Sequence, residues 1–243
     1  MAVQTQVVSA ASGIRWLGDG FRLFRRSPLN WMMLAAVWLL LALALVAIPT
    51  LGQLVLYLVT PALGGGLLLG CRALERGERL ELGHLIAGFR SHATPLITIG
   101  GVYLTGNVLA FGAFLALGGS RIIAAALQRS SDPGALPPDV PTDPLLAIFL
   151  LLPLFMAVIF APALVVFRGA PALDAMRASF VACWQNLLPI LIFAVASAVL
   201  AMLAMLPYGL GALIWIPVYA GAVYRGYQAL FGPDATRSEE PAP

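Results

Sequence analysis

The chain has 243 residues, 60% of them hydrophobic and only 10% charged, with a mean hydropathy of +0.92. A soluble globular protein carries about 25% charged residues, so a water-soluble fold is excluded. The net charge of +3 comes entirely from arginine, with 14 arginines and no lysine; they cluster at the ends of apolar segments, which argues against nucleic-acid binding.

The first predicted element covers residues 14–26, IRWLGDGFRLFRR. At ~100° per residue, Ile14, Leu17, Phe21 and Phe24 share one side, flanked by Trp16 and Leu23. Arg15, Asp19, Arg22, Arg25 and Arg26 fall on the other. This is the pattern of a helix lying in the membrane interface, with rings in the acyl boundary and guanidiniums among anionic headgroups. Arg15, Arg22, Arg25 and Arg26 are therefore the candidate lipid-headgroup residues. Ser27-Pro28 follows, a good N-cap and a favoured first helical residue.

Six apolar segments come next, at about residues 29–48, 51–70, 95–118, 145–167, 187–206 and 208–229, each near the ~20 residues a span requires. The first is too long for a signal-peptide core and reads as an uncleaved anchor. Pro49-Thr50 and Pro207-Tyr208 leave room only for tight helical hairpins. The long connection 119–144 holds prolines 133, 137, 138, 141 and 144, which forbid regular structure over most of it. Twelve of the fourteen arginines fall on the side of the N-terminus, and only Arg121 and Arg129 on the other. The positive-inside rule then puts both termini in the cytoplasm.

The opening unit recurs. In residues 80–96, Leu82, Leu85, Ile86 and Phe89 form an apolar face and Thr94-Pro95 a cap; in 171–189 the face is Leu173, Met176, Phe180 and Cys183, with Asn186 at the cap. The second span of each pair carries an internal proline, Pro61, Pro162 or Pro217, and aligning Pro61 with Pro217 brings Gly65 onto Gly221 and Gly70 onto Gly226. The expected fold is all-α and polytopic. It has six spans and three interfacial helices in a threefold internal repeat, forming a single domain over 1–231 with a disordered cytoplasmic tail at 232–243. Each of the three prolines is expected to bend its span.

The order GFRLFRRSP, PALGGGLL…CRALERGE, LIAGFR, APALVVF…AMRASFVACWQN and PVYAGAVYRGYQALF resembles an uncharacterised family of six-helix proteobacterial inner-membrane proteins, over about residues 14–231. It is also loosely similar to the membrane part attached to some glycerophosphodiester phosphodiesterases. The resemblance implies a bacterial inner-membrane location. It carries over no catalytic or ligand residue, and the soluble phosphodiesterase domain is not among these residues.

No hydrolase elbow, P-loop or zincin motif occurs, and no cofactor is expected. Gly64-Gly65-Gly66 lies inside a span with no lysine after it; Gly66 and Gly70 fit the small-xxx-small pattern of close helix packing, a substrate passage being the rival. Cys71, Cys183, His84 and His92 lack zinc-site spacing. Glu75, Glu78 and Glu81 sit among arginines, with Arg72–Glu75 and Glu75–Arg79 spaced to support a helix. No ionisable residue lies near a predicted midplane, where proton-coupled transporters usually carry one. Asn107 reads as an interhelical hydrogen bond or a substrate contact. Pro61, Gly66, Gly70, Pro162, Pro217 and Gly221 are the candidate packing and kink positions. These features point to a non-enzymatic membrane protein that engages anionic lipids, a membrane-protein partner or a second copy through its basic aromatic collar. The alternative is a transporter for a small molecule or lipid, with kinked helices around a central passage.

Overall fold

A chain this apolar satisfies its backbone in a bilayer by forming helices, and the computed structural model is helical throughout. It describes residues 5–120, 123–124, 144–206 and 208–232, with the backbone alone at 117–118 and 144–150. The expected proline-rich loop and the tail therefore lie almost wholly outside the described residues. In chain order the helices are α1 (Ser12–Phe24), α2 (Pro28–Val46), α3 (Leu51–Glu75), α4 (Gly83–Phe114), α5 (Pro144–Val158), α6 (Ala161–Arg168), α7 (Ala172–Gln185), α8 (Leu187–Met205) and α9 (Ala212–Phe231). A π-helical turn, Leu115–Gly119, continues α4. Among the described residues there is no strand.

Five stretches are long and apolar enough to cross a membrane: Pro28–Val46, Leu51–Glu75, Gly83–Phe114, Leu151–Arg168 and Leu187–Met205. The sixth expected span, α9, is as long as the others but is not among them. Its second half carries Arg225, Gln228 and several tyrosines and is largely buried against other helices. A helix sheltered by its neighbours needs less hydrocarbon-facing surface.

Three junctions join a shorter helix to a longer one with nearly the same backbone geometry: Ser27 (φ −152°, ψ 65°), His92 (φ −142°, ψ 39°) and Asn186 (φ −122°, ψ 40°). In the middle unit the break falls at His92, not at the expected Thr94, so Thr94 and Pro95 lie inside the first turn of the span, where proline costs little. Ser27 and Asn186 hold the expected cap positions, but neither side chain makes the capping bond. Asn186 instead accepts the Val8 N–H (2.8 Å) and donates to the Gln6 carbonyl (3.1 Å), clamping the N-terminal segment. The tight turns are alike too. Thr50 (φ 62°) and Tyr208 (φ 51°) each follow a proline and take the left-handed conformation that non-glycine residues rarely adopt.

The three shorter helices lie against second spans. α1 packs on α9 and α8, the first part of α4 on α3, and α7 on α5 and α6, so the first helix of the chain closes on the last. Glycines make two of these contacts possible. A Cβ on Gly20 would stand 2.3 Å from the Val218 carbonyl oxygen and 2.6 Å from the Ala222 nitrogen. One on Gly88 would stand 2.2 Å from the Ala62 oxygen and 3.2 Å from the Gly66 nitrogen. Val218 and Ala62 each follow the proline of their span directly.

The apolar faces of the shorter helices are divided between the protein and its surroundings. In α1, Trp16, Leu17, Leu23 and Phe24 are buried while Ile14 and Phe21 stay exposed. In α7 the buried side is Ala172, Ala175, Met176, Ser179, Ala182 and Cys183, with Leu173, Val181 and Trp184 outside. Not all three prolines interrupt their spans. α3 and α9 run through Pro61 and Pro217; only Pro162 stands at a break, where α5 ends at Val158 and α6 begins at Ala161.

Candidate functional site

Burial along α3 and α9 changes at their prolines. Residues 55–60 of α3 are half-exposed, and Pro61, Ala62 and Leu63 are buried; in α9, Trp215 and Ile216 are half-exposed and Pro217 is buried. Beyond the prolines small residues draw the helices together. A Cβ on Gly66 would meet the His84 and Leu85 carbonyl oxygens at 2.4 and 2.6 Å, and one on Gly221 the Gly20 Cα at 2.8 Å. A Cβ on Gly70 would stand 2.8 Å from the Leu80 side chain and 3.6 Å from the Trp31 ring. Before Pro61 one such contact remains, where a Cβ on Gly100 of α4 would meet the Leu58 carbonyl oxygen at 2.4 Å, and beside it a cavity of about 380 Å³ opens between the spans.

This cavity is bounded by Trp38 of α2, Thr60, Pro61, Gly64 and Leu68 of α3, and Tyr103 of α4. Phe155 and Val158 of α5, Ile159 at the break, Pro162 of α6, and Trp215, Tyr219 and Val223 of α9 also line it. Its size falls in the usual range for ligand pockets, about 300–1,000 Å³. The lining is apolar and aromatic. Thr60 spends its hydroxyl on the Leu56 carbonyl (2.6 Å), leaving the tyrosines as the main polar handles. Tyr219 is held between Phe193 (5.8 Å) and Trp215 (5.6 Å), and Tyr103 rests against Tyr57 (5.7 Å).

Past the cavity residues Leu68 and Val223, toward the C-terminal ends of α3 and α9, come rings and then a polar network. Phe167 packs on Tyr224 (5.5 Å) and Tyr227 (5.1 Å), with the Arg72 guanidinium 4.9 Å from its ring centre. Glu75 then accepts hydrogen bonds from Tyr224 (2.6 Å), Arg225 (2.6 Å) and Gln228 (2.8 Å). Arg168 donates to the Tyr227 hydroxyl (3.2 Å) and to the Phe231 carbonyl. The C-terminal ends of α3, α6 and α9 are thereby tied together. Glu75, whose spacing suggested partners along its own helix, thus reaches across to the last one, a role that no local spacing announces.

The expected site residues are dispersed. Arg15 donates to Ser9 (2.6 Å) and Ser12 (3.0 Å), Arg22 is paired with Asp19, and Arg26 reaches the Leu74 carbonyl (3.3 Å). Among the described residues, Arg25 alone of the four has no bonded partner. Asn107 bonds the Tyr103 carbonyl of its own helix (2.8 Å), not a neighbouring one. Glu78 and Glu81 are exposed, apart from the tied Glu75. Cys71 and Cys183 are buried free thiols; burial pushes the Cys183 thiol up to about 12, so it stays protonated and inert at neutral pH. Among the described residues no three His, Cys, Asp or Glu side chains gather as a metal site would require.

The clearest feature that sequence reasoning missed is Ser179. Its hydroxyl donates to the Met156 carbonyl (2.7 Å) and accepts the Phe160 N–H (3.2 Å). Residues 156 and 160 are the partners of one i→i−4 helical bond, so the serine is inserted into it at the break. A small residue before Phe180, matching the glycines before Phe21 and Phe89, was the available signal.

Comparison with known proteins gives two matches. The family described as a domain of unknown function (DUF7847) matches residues 14–238. A protein of Burkholderia thailandensis named as a probable inner membrane protein is 32% identical over 218 residues, covering 84% of this chain and 81% of that protein. No solved structure matches. Neither match concerns a glycerophosphodiester phosphodiesterase.

Proposed function

The chain belongs to the DUF7847 family, and we propose that it is a non-enzymatic inner-membrane protein that holds an apolar chain, such as a lipid tail, in its central cavity. The cavity itself carries this reading. It lies among membrane-spanning helices, its lining is apolar, and its rim offers tyrosine hydroxyls but no carboxylate, imidazole or amine. Such a lining can bind and orient an apolar chain.

The proposed architecture has six spans in three repeats, with α9 as the sixth and α1, the start of α4, and α7 at the cytoplasmic interface. Support for the repeat comes from the shared geometry of Ser27, His92 and Asn186 and from the matching approaches of Gly20 and Gly88 to the residue after a proline. Of the basic collar, Arg25 is the member we assign to anionic headgroups. Arg15, Arg22 and Arg26 first serve the protein's own packing.

Gly64 gives a direct test. It lines the cavity, and a Cβ there would meet nothing within 4 Å, so Gly64→Leu fills the space without displacing backbone. Native mass spectrometry after gentle extraction should show an apolar adduct on the wild type that is absent from G64L. Identical adducts on both proteins would refute the cavity reading.

The transporter reading has one observation in its favour: the Tyr224–Tyr227 layer and the Glu75 network follow the cavity residues along α3 and α9, where one gate of an alternating passage would stand. Under that reading G64L abolishes uptake or efflux by vesicles; under the binding reading vesicle content is unchanged.

Orientation is testable separately. With twelve arginines on the terminal side, both ends belong in the cytoplasm. A cysteine replacing Ala135 should react with an impermeant maleimide on intact spheroplasts. Reaction only after the membrane is breached would invert the topology.

A further inference from the structure

On the far side of the α4–α5 wall from the cavity lies a second recess. Tyr103, Phe155 and Val158 face the cavity, whereas Val102, Gly106, Leu154 and Ala157 face a lateral groove of about 950 Å³. The groove runs along α4 from Val102 to Ala113. At 1.5 Å per residue that is about 16 Å, close to half of a ~30 Å hydrocarbon core and so to the depth of one leaflet. The groove is floored by small residues, Gly106 and Ala110 among them, and walled by Leu154 and Phe180.

Among the described residues a single charged one borders it. Arg177 of α7 lines the groove, is exposed, and has no hydrogen-bond or ion-pair partner among the described residues. Asp174, one turn earlier on the same helix, makes no pair with it. The other α7 side chains bordering the groove are apolar, with Leu173 and Val181 exposed and Met176 buried. An arginine bordering apolar surface lays its stem along that surface and offers its guanidinium to whatever anion stands at the end. Guanidinium matches phosphate geometry through two parallel N–H donors.

We propose that this groove binds an anionic phospholipid, with its phosphate on Arg177 and one acyl chain along α4. The occupant follows from the pairing of one unpartnered cation with an apolar trough of acyl-chain length. A soluble phosphate would leave the trough bare, and a neutral hydrocarbon would leave the cation unmatched. The site is separate from the central cavity, and neither depends on the other.

The full-length protein, reconstituted in phosphatidylcholine vesicles, tests the assignment. The probes are phosphatidylglycerol and phosphatidylcholine, each carrying a photoactivatable diazirine in the acyl chain, and cross-links are mapped by peptide mass spectrometry. Cross-linking to residues 102–113 should be about fivefold higher from phosphatidylglycerol, the preference one basic residue confers at an anionic headgroup. Arg177→Gln should reduce it to the phosphatidylcholine level, and Arg177→Lys should retain most of it. Ala110→Trp, which plugs the trough but keeps the cation, should lower the yield from both lipids. Equal yields from the two lipids on the wild type would overturn the proposal, as would equal losses in R177K and R177Q or an unchanged yield in A110W. Displacement of the lipid by inorganic phosphate would overturn it in favour of a soluble anion.

Discussion

Gly20→Ala will destabilise the protein by about 3 kcal/mol, the upper part of the range for overpacking a close contact, while Gly18→Ala on the same helix will leave it unchanged or raise its stability. The two glycines differ only in what faces them. At Gly18 a new Cβ meets nothing within 4 Å, and at Gly20 it falls 2.3 Å from the Val218 carbonyl oxygen. That neighbour is backbone in the middle of α9, so it cannot rotate aside. One methyl group would push α1 off the last helix and open the contact that closes the bundle. Gly18, by contrast, is exposed, and alanine there gains up to about 1 kcal/mol of helix propensity. Thermal unfolding of the two variants in one detergent, read by circular dichroism, checks the pair. Equal shifts in Tm would mean that α1 is not held by backbone contact.

The same contact explains which parts of the fold could be read from the chain. Apolar runs of span length and proline in first turns are local signals, so α2, α3, α4, α5 and α8 appear near their expected places. Which residues of each apolar face meet protein was not legible. In water the apolar residues of an amphipathic helix mark its buried side, but a helix in or beside a bilayer meets apolar surroundings on its outer side as well. Close packing is then marked by small residues. Ile14 and Phe21 belong outside, and Gly13 and Gly20 lie against α8 and α9. The same inversion puts Leu173 and Trp184 outside α7 and Ala175 and Ala182 inside.

The cavity had no local signature because it is a gap between spans. Pro61, Pro162 and Pro217 were visible as a repeated feature, but the change from half-exposed to buried that Pro61 and Pro217 mark in their spans depends on how the helices meet. The network around Glu75 joins residues 149–153 positions apart, beyond the reach of any spacing argument. The positive-inside pattern spoke of orientation and said little about which arginines are free. Ser9, Ser12, Asp19 and the Leu74 carbonyl engage three of the four in the collar.

Ser179→Ala is the second substitution expected to have a large effect, because it removes one oxygen that satisfies two buried backbone groups. Ser179, Met156 and Phe160 are each almost completely buried. The serine hydroxyl fills the gap where the Phe160 N–H and the Met156 carbonyl would otherwise bond each other. A side chain inserted into the helical ladder is a known cause of a sharp break, and Pro162, two residues on, cannot repair it. In S179A both groups lose their partner, at about 1–3 kcal/mol for each unsatisfied group, unless the helix closes on itself. Closure would extend α5 through residues 159–160, redirect α6, and pull Ile159 and Pro162 away from the cavity they line. Ser179→Gly should lose as much stability as S179A, although it matches the glycines of the other two units, because it too lacks the hydroxyl. The measurement is the unfolding midpoint of both variants, together with hydrogen exchange at the Phe160 amide. If S179A keeps wild-type stability and the amide exchanges no faster, the hydroxyl is not what holds the break open. If S179A alone is stable and S179G is not, volume rather than hydrogen bonding sets the requirement at this position.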